Sequence, residues 1–142
     1  MIKIIRRHVI LFLIVLLLLG ALFGIFIYRW YSLQTVNVPI EAEITSNMIG
    51  FNTGTDRLYF GSVAPGGSGE RLTHVVCATR CRVVVSVDGV VAPWIVVSQN
   101  KFVLDEGVRG DVLFRMYVPE SAALGNVSGT AIIRYYRALP WE

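Results

Sequence analysis

The sequence predicts an all-β domain of two packed antiparallel sheets, preceded by one membrane-spanning α-helix. Three observations lead there. Residues 9–27 read VILFLIVLLLLGALFGIFI, nineteen residues without a charge. From Val36 onward, short runs rich in Val, Ile, Tyr and Phe alternate with polar residues and are broken by Gly, Pro, Asn and Asp. No long amphipathic helical pattern follows the apolar stretch.

The apolar stretch comes first. A helix of that length rises roughly 28 Å, close to the ~30 Å hydrocarbon core of a bilayer. Lys3, Arg6 and Arg7 precede it, with His8 at its border, and Arg29 alone follows closely. Basic residues flanking a span stay on the cytoplasmic side. The expected order is a cytoplasmic tail over 1–8, a span over 9–28, a juxtamembrane linker over 29–35 and an extracytoplasmic domain over 36–142. Tyr28, Trp30 and Tyr31 fall where an interfacial aromatic belt lies. Gly20 and Gly24 form a GxxxG pair, the spacing that lets two membrane helices approach closely, although glycine is also common in such helices generally. A cleaved signal peptide is the competing reading. Its apolar core is shorter and ends in small residues, whereas Phe26-Ile27-Tyr28-Arg29-Trp30 supplies none.

The formal net charge of +3 comes from the tail. Beyond the span, ten basic residues face ten acidic ones. A neutral domain gives no basic surface for nucleic acid.

The remaining 107 residues, Val36 to Glu142, match one domain. Val36–Ile44 alternates as a half-buried strand does, and Pro39 suggests a sheet edge because it cannot donate to a ladder. Met48–Phe51 and Leu58–Phe60 are short strand candidates on either side of Asn52–Asp56. Pro65-Gly66-Gly67-Ser68-Gly69 is the strongest loop signal. Arg71–Cys77 and Cys81–Val87 are expected to form a hairpin, and Asp88-Gly89 a second hairpin turn. Val90–Val97, Lys101–Leu104, Asp111–Val118 and Thr130–Arg137 complete eight or nine strands. Ala122-Ala123-Leu124 is expected to form one helical turn at most.

Leu58-Tyr59-Phe60-Gly61-Ser62-Val63-Ala64-Pro65-Gly66 resembles the opening "apolar-x-F-G-x-V-x-x-G" of major-sperm-protein-like and related immunoglobulin-like sandwiches. Val118-Pro119-Glu120 through Gly125-Asn126-Val127-Ser128-Gly129-Thr130-Ala131-Ile132-Ile133 resembles the ending of many secreted prokaryotic sandwich modules, with Val127 where that pattern has an aromatic. The resemblance covers about residues 58–137. It implies an immunoglobulin-like β-sandwich acting in structure or interaction. Gly61, Gly66, Gly125 and Gly129 then read as positions of unusual backbone angle. In layout alone, helix then sandwich, the chain also resembles the small stator subunits of archaeal surface filaments.

Cys77 and Cys81 are the only cysteines. Across a hairpin mouth, and outside the cytoplasm, they favour a structural disulfide. Free thiols, a metal site and a redox pair are the alternatives, each less well served by two cysteines spaced C-x3-C. Asn126-Val127-Ser128 is an N-glycosylation sequon, expected in a loop. Catalysis finds little support. A Ser-His-Asp set would need His74, Asp88 or Asp111 and a serine, and nothing in the spacing selects one. Asp105-Glu106 before Gly107 reads as a solvated turn, and Gly66-Gly67-Ser68-Gly69 lacks the Lys of a phosphate-binding loop. No cofactor and no metal is expected. Trp94 reads as a core aromatic, or else as a contact for a partner or a sugar. Tyr135, Tyr136 and Trp141 are further candidate partner contacts.

These residues lead to a non-enzymatic, single-pass membrane protein that displays its domain for protein binding or for support of a cell-envelope assembly. Its expected partners are the lipid bilayer and another envelope or membrane protein, with self-association a further option. The rival expectations are an accessory subunit held through the helix, with Gly20 and Gly24 in contact, and a cell-wall or carbohydrate-binding module.

Overall fold

The computed structural model describes residues 2–46 and 57–141. The chain divides between Leu33 and Gln34 into two compact units. The first is dominated by helix α1, Ile2–Tyr31. It contains no proline, and most of its residues are Leu, Ile, Val or Phe, so the helix interior can hydrogen-bond its own backbone without interruption. Residues Ile10–Tyr31 are long and apolar enough to cross a membrane, and within their unit they bury nothing. The helix runs on through residues 2–8 and 29–31, and extended structure begins at Ser32.

The second unit is β throughout. Its strands are β1 Ser32–Ile44, β2 Leu58–Val63, β3 Ser68–Val76, β4 Cys81–Gly89, β5 Ile95–Val97, β6 Phe102–Leu104, β7 Arg109–Tyr117 and β8 Gly125–Arg137. One sheet has the order β2-β1-β8-β4-β6 and the other β3-β7-β5. β1 and β2 run parallel, and β3/β7, β4/β8, β4/β6 and β5/β7 run antiparallel.

From β2 onward, successive strands belong to different sheets. Each connection is therefore an arch, leaving one sheet and entering the other. Among the described residues, no antiparallel pair joins strands that follow one another in sequence. This overturns both expected hairpins. β3 pairs with β7 rather than β4, with Leu72 opposite Leu113 and His74 opposite Asp111. Asp88 and Gly89 are the last residues of β4, opposite Thr130 and Gly129. The chain then turns through a 3-10 segment, Ala92–Trp94, into the short β5. A Gly-containing turn signal marks a reversal but not the sheet that the chain enters next.

Two further expectations shift. β1 lies inside its sheet, between β2 and β8, despite Pro39. Pairing with β2 starts at Ile40↔Leu58, so Pro39 falls just before that ladder. β8 begins at Gly125, which puts Asn126-Val127-Ser128 on a strand rather than in a loop. Met48–Phe51 and the Asn52–Asp56 turn lie outside the described residues.

The two sheets share one hydrophobic core. Ile40, Ala42 and Ile44 of β1, Val83 and Val85 of β4, and Ala131 and Ile133 of β8 meet Val75 of β3 and Val112, Phe114 and Met116 of β7. Each set recurs every second residue, the strand period. Burying a side chain such as Phe114, which is 0% exposed, contributes about 2–3 kcal/mol. Gly61, Gly66 and Gly125 do have positive φ, as their motif implied. Gly66 needs it to make its turn, where its N–H donates to the Val118 carbonyl at 3.0 Å. Gly129 differs, being required by close approach: an added Cβ would lie 2.4 Å from Val91 Cγ2 and 2.7 Å from the Asp88 carbonyl. Gly129→Ala should therefore destabilise the domain by about 2 kcal/mol, read as a lower urea midpoint for the full chain in detergent.

Candidate functional site

The arch from β3 to β4 carries the cysteines. Cys77 directly follows β3 of one sheet and Cys81 is the first residue of β4 in the other, both buried. Their Cα atoms are 6.1 Å apart, inside the disulfide range, and their sulfurs lie within bonding distance. The expected pair is thus brought together, but across an arch, where it ties the two sheets. The Gly107 N–H donates to the Cys77 carbonyl at 2.9 Å, and Arg80 Nε meets Asp105 Oδ1 at 3.2 Å. Asp105, expected in a solvated turn, is exposed and also braces this arch.

The other sequence-selected residues do not gather. Gly20 and Gly24 lie on α1, and a Cβ added at either meets nothing within 4 Å. Trp94 and Tyr135 are half-buried and pack against the core. Burial holds the Tyr135 phenol above its ordinary pKa. Tyr136, next along β8 and facing the other way, stands opposite Arg82. Trp141 is 79% exposed. Asn126 is exposed and borders a recess of about 550 Å³ on the outer side of β1, β2 and β8, lined also by Glu41, Glu43, Tyr59 and Ser128. Both carboxylates there have partners: Arg57 meets Glu41 at 3.0 Å, and the Ser62 hydroxyl donates to Glu43 at 3.3 Å.

A more organised surface covers the outside of the three-stranded sheet. The register of β3 on β7 sets three rows side by side. Glu70 faces Arg115, Leu72 faces Leu113, and His74 faces Asp111. Glu70 accepts from Arg115 Nε, and Arg115 also reaches the Tyr117 hydroxyl at 3.3 Å. His74 Nδ1 lies 2.6 Å from Asp111 Oδ1, and Arg109 contacts both His74 Nε2 and Asp111. A guanidinium only donates, so Nε2 accepts and Nδ1–H donates to the carboxylate. Between the charged rows Leu72 is 51% exposed, and Val96 of β5 and Val76 are similarly open.

No protein-family model, no curated protein and no solved structure matches the chain. The reading of this surface therefore stands on its own geometry.

Two of the three members of a Ser-His-Asp arrangement are present in His74 and Asp111. The nitrogen that would take a proton from a nucleophile, Nε2, is already the acceptor for Arg109. The cluster's members are 35 and 37 positions apart in sequence, and only the β3/β7 register brings them together.

The His74 hydrogen bond, aided by the nearby Arg109 charge, holds the Asp111 carboxyl below the usual carboxylate range against a smaller opposing desolvation. A depressed folded-state pKa contributes stability above the unfolded carboxylate value and loses it as pH falls through the folded one. His74→Ala should move the Asp111 carboxyl 13C titration upward, toward the ordinary range. Asp111→Asn should flatten the acid limb of the stability profile below the ordinary carboxylate range.

Proposed function

We propose that this chain is a single-pass membrane protein that displays an immunoglobulin-like β-domain outside the cytoplasm and works by binding protein, without catalysis. The observation that carries this reading is the outer face of the three-stranded sheet. There, exposed Leu72, Val76, Val96 and Tyr117 lie among the Glu70–Arg115 and His74–Asp111–Arg109 charge pairs. Apolar groups framed by fixed charge suit a protein interface: the apolar part supplies area and the charges supply selectivity. The apolar α1 supports membrane attachment, and the basic residues before it support a cytoplasmic N-terminus.

A second reading draws on the recess beside Asn126. An aromatic ring with carboxylate, amide and hydroxyl groups is chemistry that recognises polyols, as in a cell-wall or carbohydrate-binding module.

Crosslinking in intact cells, then detergent extraction through a C-terminal tag and mass spectrometry, separates these readings. The interface reading predicts a protein recovered near one-to-one with the chain, its own copies included. Leu72→Asp should reduce that recovery at least severalfold. Recovery of cell-wall glycan alone would contradict it.

A further inference from the structure

We propose that β3 is the seam of a symmetric dimer: its edge adds antiparallel to β3 of a second copy, with Leu72 facing the partner's Leu72 across a two-fold axis. This deepens the protein-binding reading above and rests on it by naming the partner as the chain itself.

The described residues give the two sheets four edges, β2, β6, β3 and β5. β5 and β6 have three residues each, too short to template much pairing. β2 is interrupted: its register against β1 shifts between Glu41 and Glu43, Gly61 takes φ +74°, and Arg71 Nε donates to the Tyr59 carbonyl. Short length and irregularity are the usual protections of a sheet edge. β3 has neither. It pairs with β7 over nine consecutive residues without a shift, and it contains no proline and no lysine. Among the described residues no strand pairs on the outer side of β3, and an edge this long and regular suits a further strand.

The side chains select the register. Pairing centred on Leu72 sets Glu70 opposite the partner's His74, Arg71 opposite the partner's Thr73, and Ser68 opposite the partner's Val76. Combined with the β3/β7 pairs, one row across four strands reads Arg115, Glu70, the partner's His74, the partner's Asp111. No two carboxylates and no two guanidinium groups are then directly opposed, and the two-fold axis repeats the row on the other side. The central row is Leu113, Leu72, the partner's Leu72 and the partner's Leu113, apolar throughout. Opposite charges and apolar pairs directly across strands stabilise a sheet, and like charges destabilise it. Centring on Glu70 or Arg71 instead would oppose like charges. Centring on Thr73 would set Glu70 against Val76, and centring on His74 would carry Glu70 beyond the strand. A two-fold axis through a sheet edge makes a closed, self-complementary contact.

The test uses the full chain in detergent micelles with single cysteines added by Leu72→Cys or Leu113→Cys, under mild oxidation. Across the seam the Leu72 Cα atoms would be about 5 Å apart, within disulfide reach. The Leu113 positions, in the same row, would be about 14 Å apart across three strand spacings, beyond reach. The proposal predicts that most of the Leu72→Cys chain runs as a reducible dimer and that the Leu113→Cys chain stays monomeric. Equal crosslinking at both positions would overturn the edge geometry in favour of face-to-face stacking or helix-driven collision. No crosslink at either would overturn self-pairing. If the tagged chain still recovered another protein from cells in that case, the broader binding reading would survive.

Discussion

Two sheets closing on one core is the constraint on which the rest of this domain depends. Alternate residues of β1, β4, β8 and β7, with Val75 of β3, enter the same cluster, and from β2 onward the chain visits the two sheets in turn. Among the described residues, no antiparallel pair joins strands that are consecutive in sequence. β4 needs β8, and β3 needs β7, each far along the chain. Such a topology orders long loops before it gains contacts, which is the physical basis of slow folding in non-local β-proteins. The Cys77–Cys81 pair falls where that constraint is tightest, at an arch linking the sheets, beside the hydrogen bond from Gly107.

Much of this was legible in the sequence. Alternation in Val36–Ile44, Cys81–Val87 and Asp111–Val118 gives strands and assigns their faces, because period two is a property of the strand itself. Partner choice is not legible in the same way. Asp88-Gly89 satisfies hairpin chemistry, yet Gly89 at φ +98° serves the exit from β4 instead. Gly125 to Gly129 looks like a loop by composition, but the strand continues through it. Gly129 is small because Val91 and the Asp88 carbonyl press on it, a contact made only in the folded chain. The His74, Asp111 and Arg109 cluster was out of reach for the same reason: a register between strands 3 and 7 has no local signal. The cysteine pair was readable from number and spacing, although the hairpin expected to hold it was wrong.

The apolar helix sets a second constraint. Leu17, Leu22, Phe23 and Phe26 are all more than 60% exposed, a surface that water does not tolerate over a whole helix. A bilayer or other helices meet that demand. The domain's own surface is organised differently, with charge pairs bordering apolar rows on one sheet face. That contrast is the basis on which we propose recognition by the domain and attachment by the helix.

The sheet-to-sheet alternation is tested most directly by interstrand Hα–Hα and amide NOEs on the isotope-labelled full chain in micelles. The account predicts contacts between Leu72 and Leu113 and between Val85 and Ile133, with none directly across β3 and β4. A ladder of contacts joining Val75 and Val76 to Arg82 and Val83 would restore the local hairpin and contradict the account.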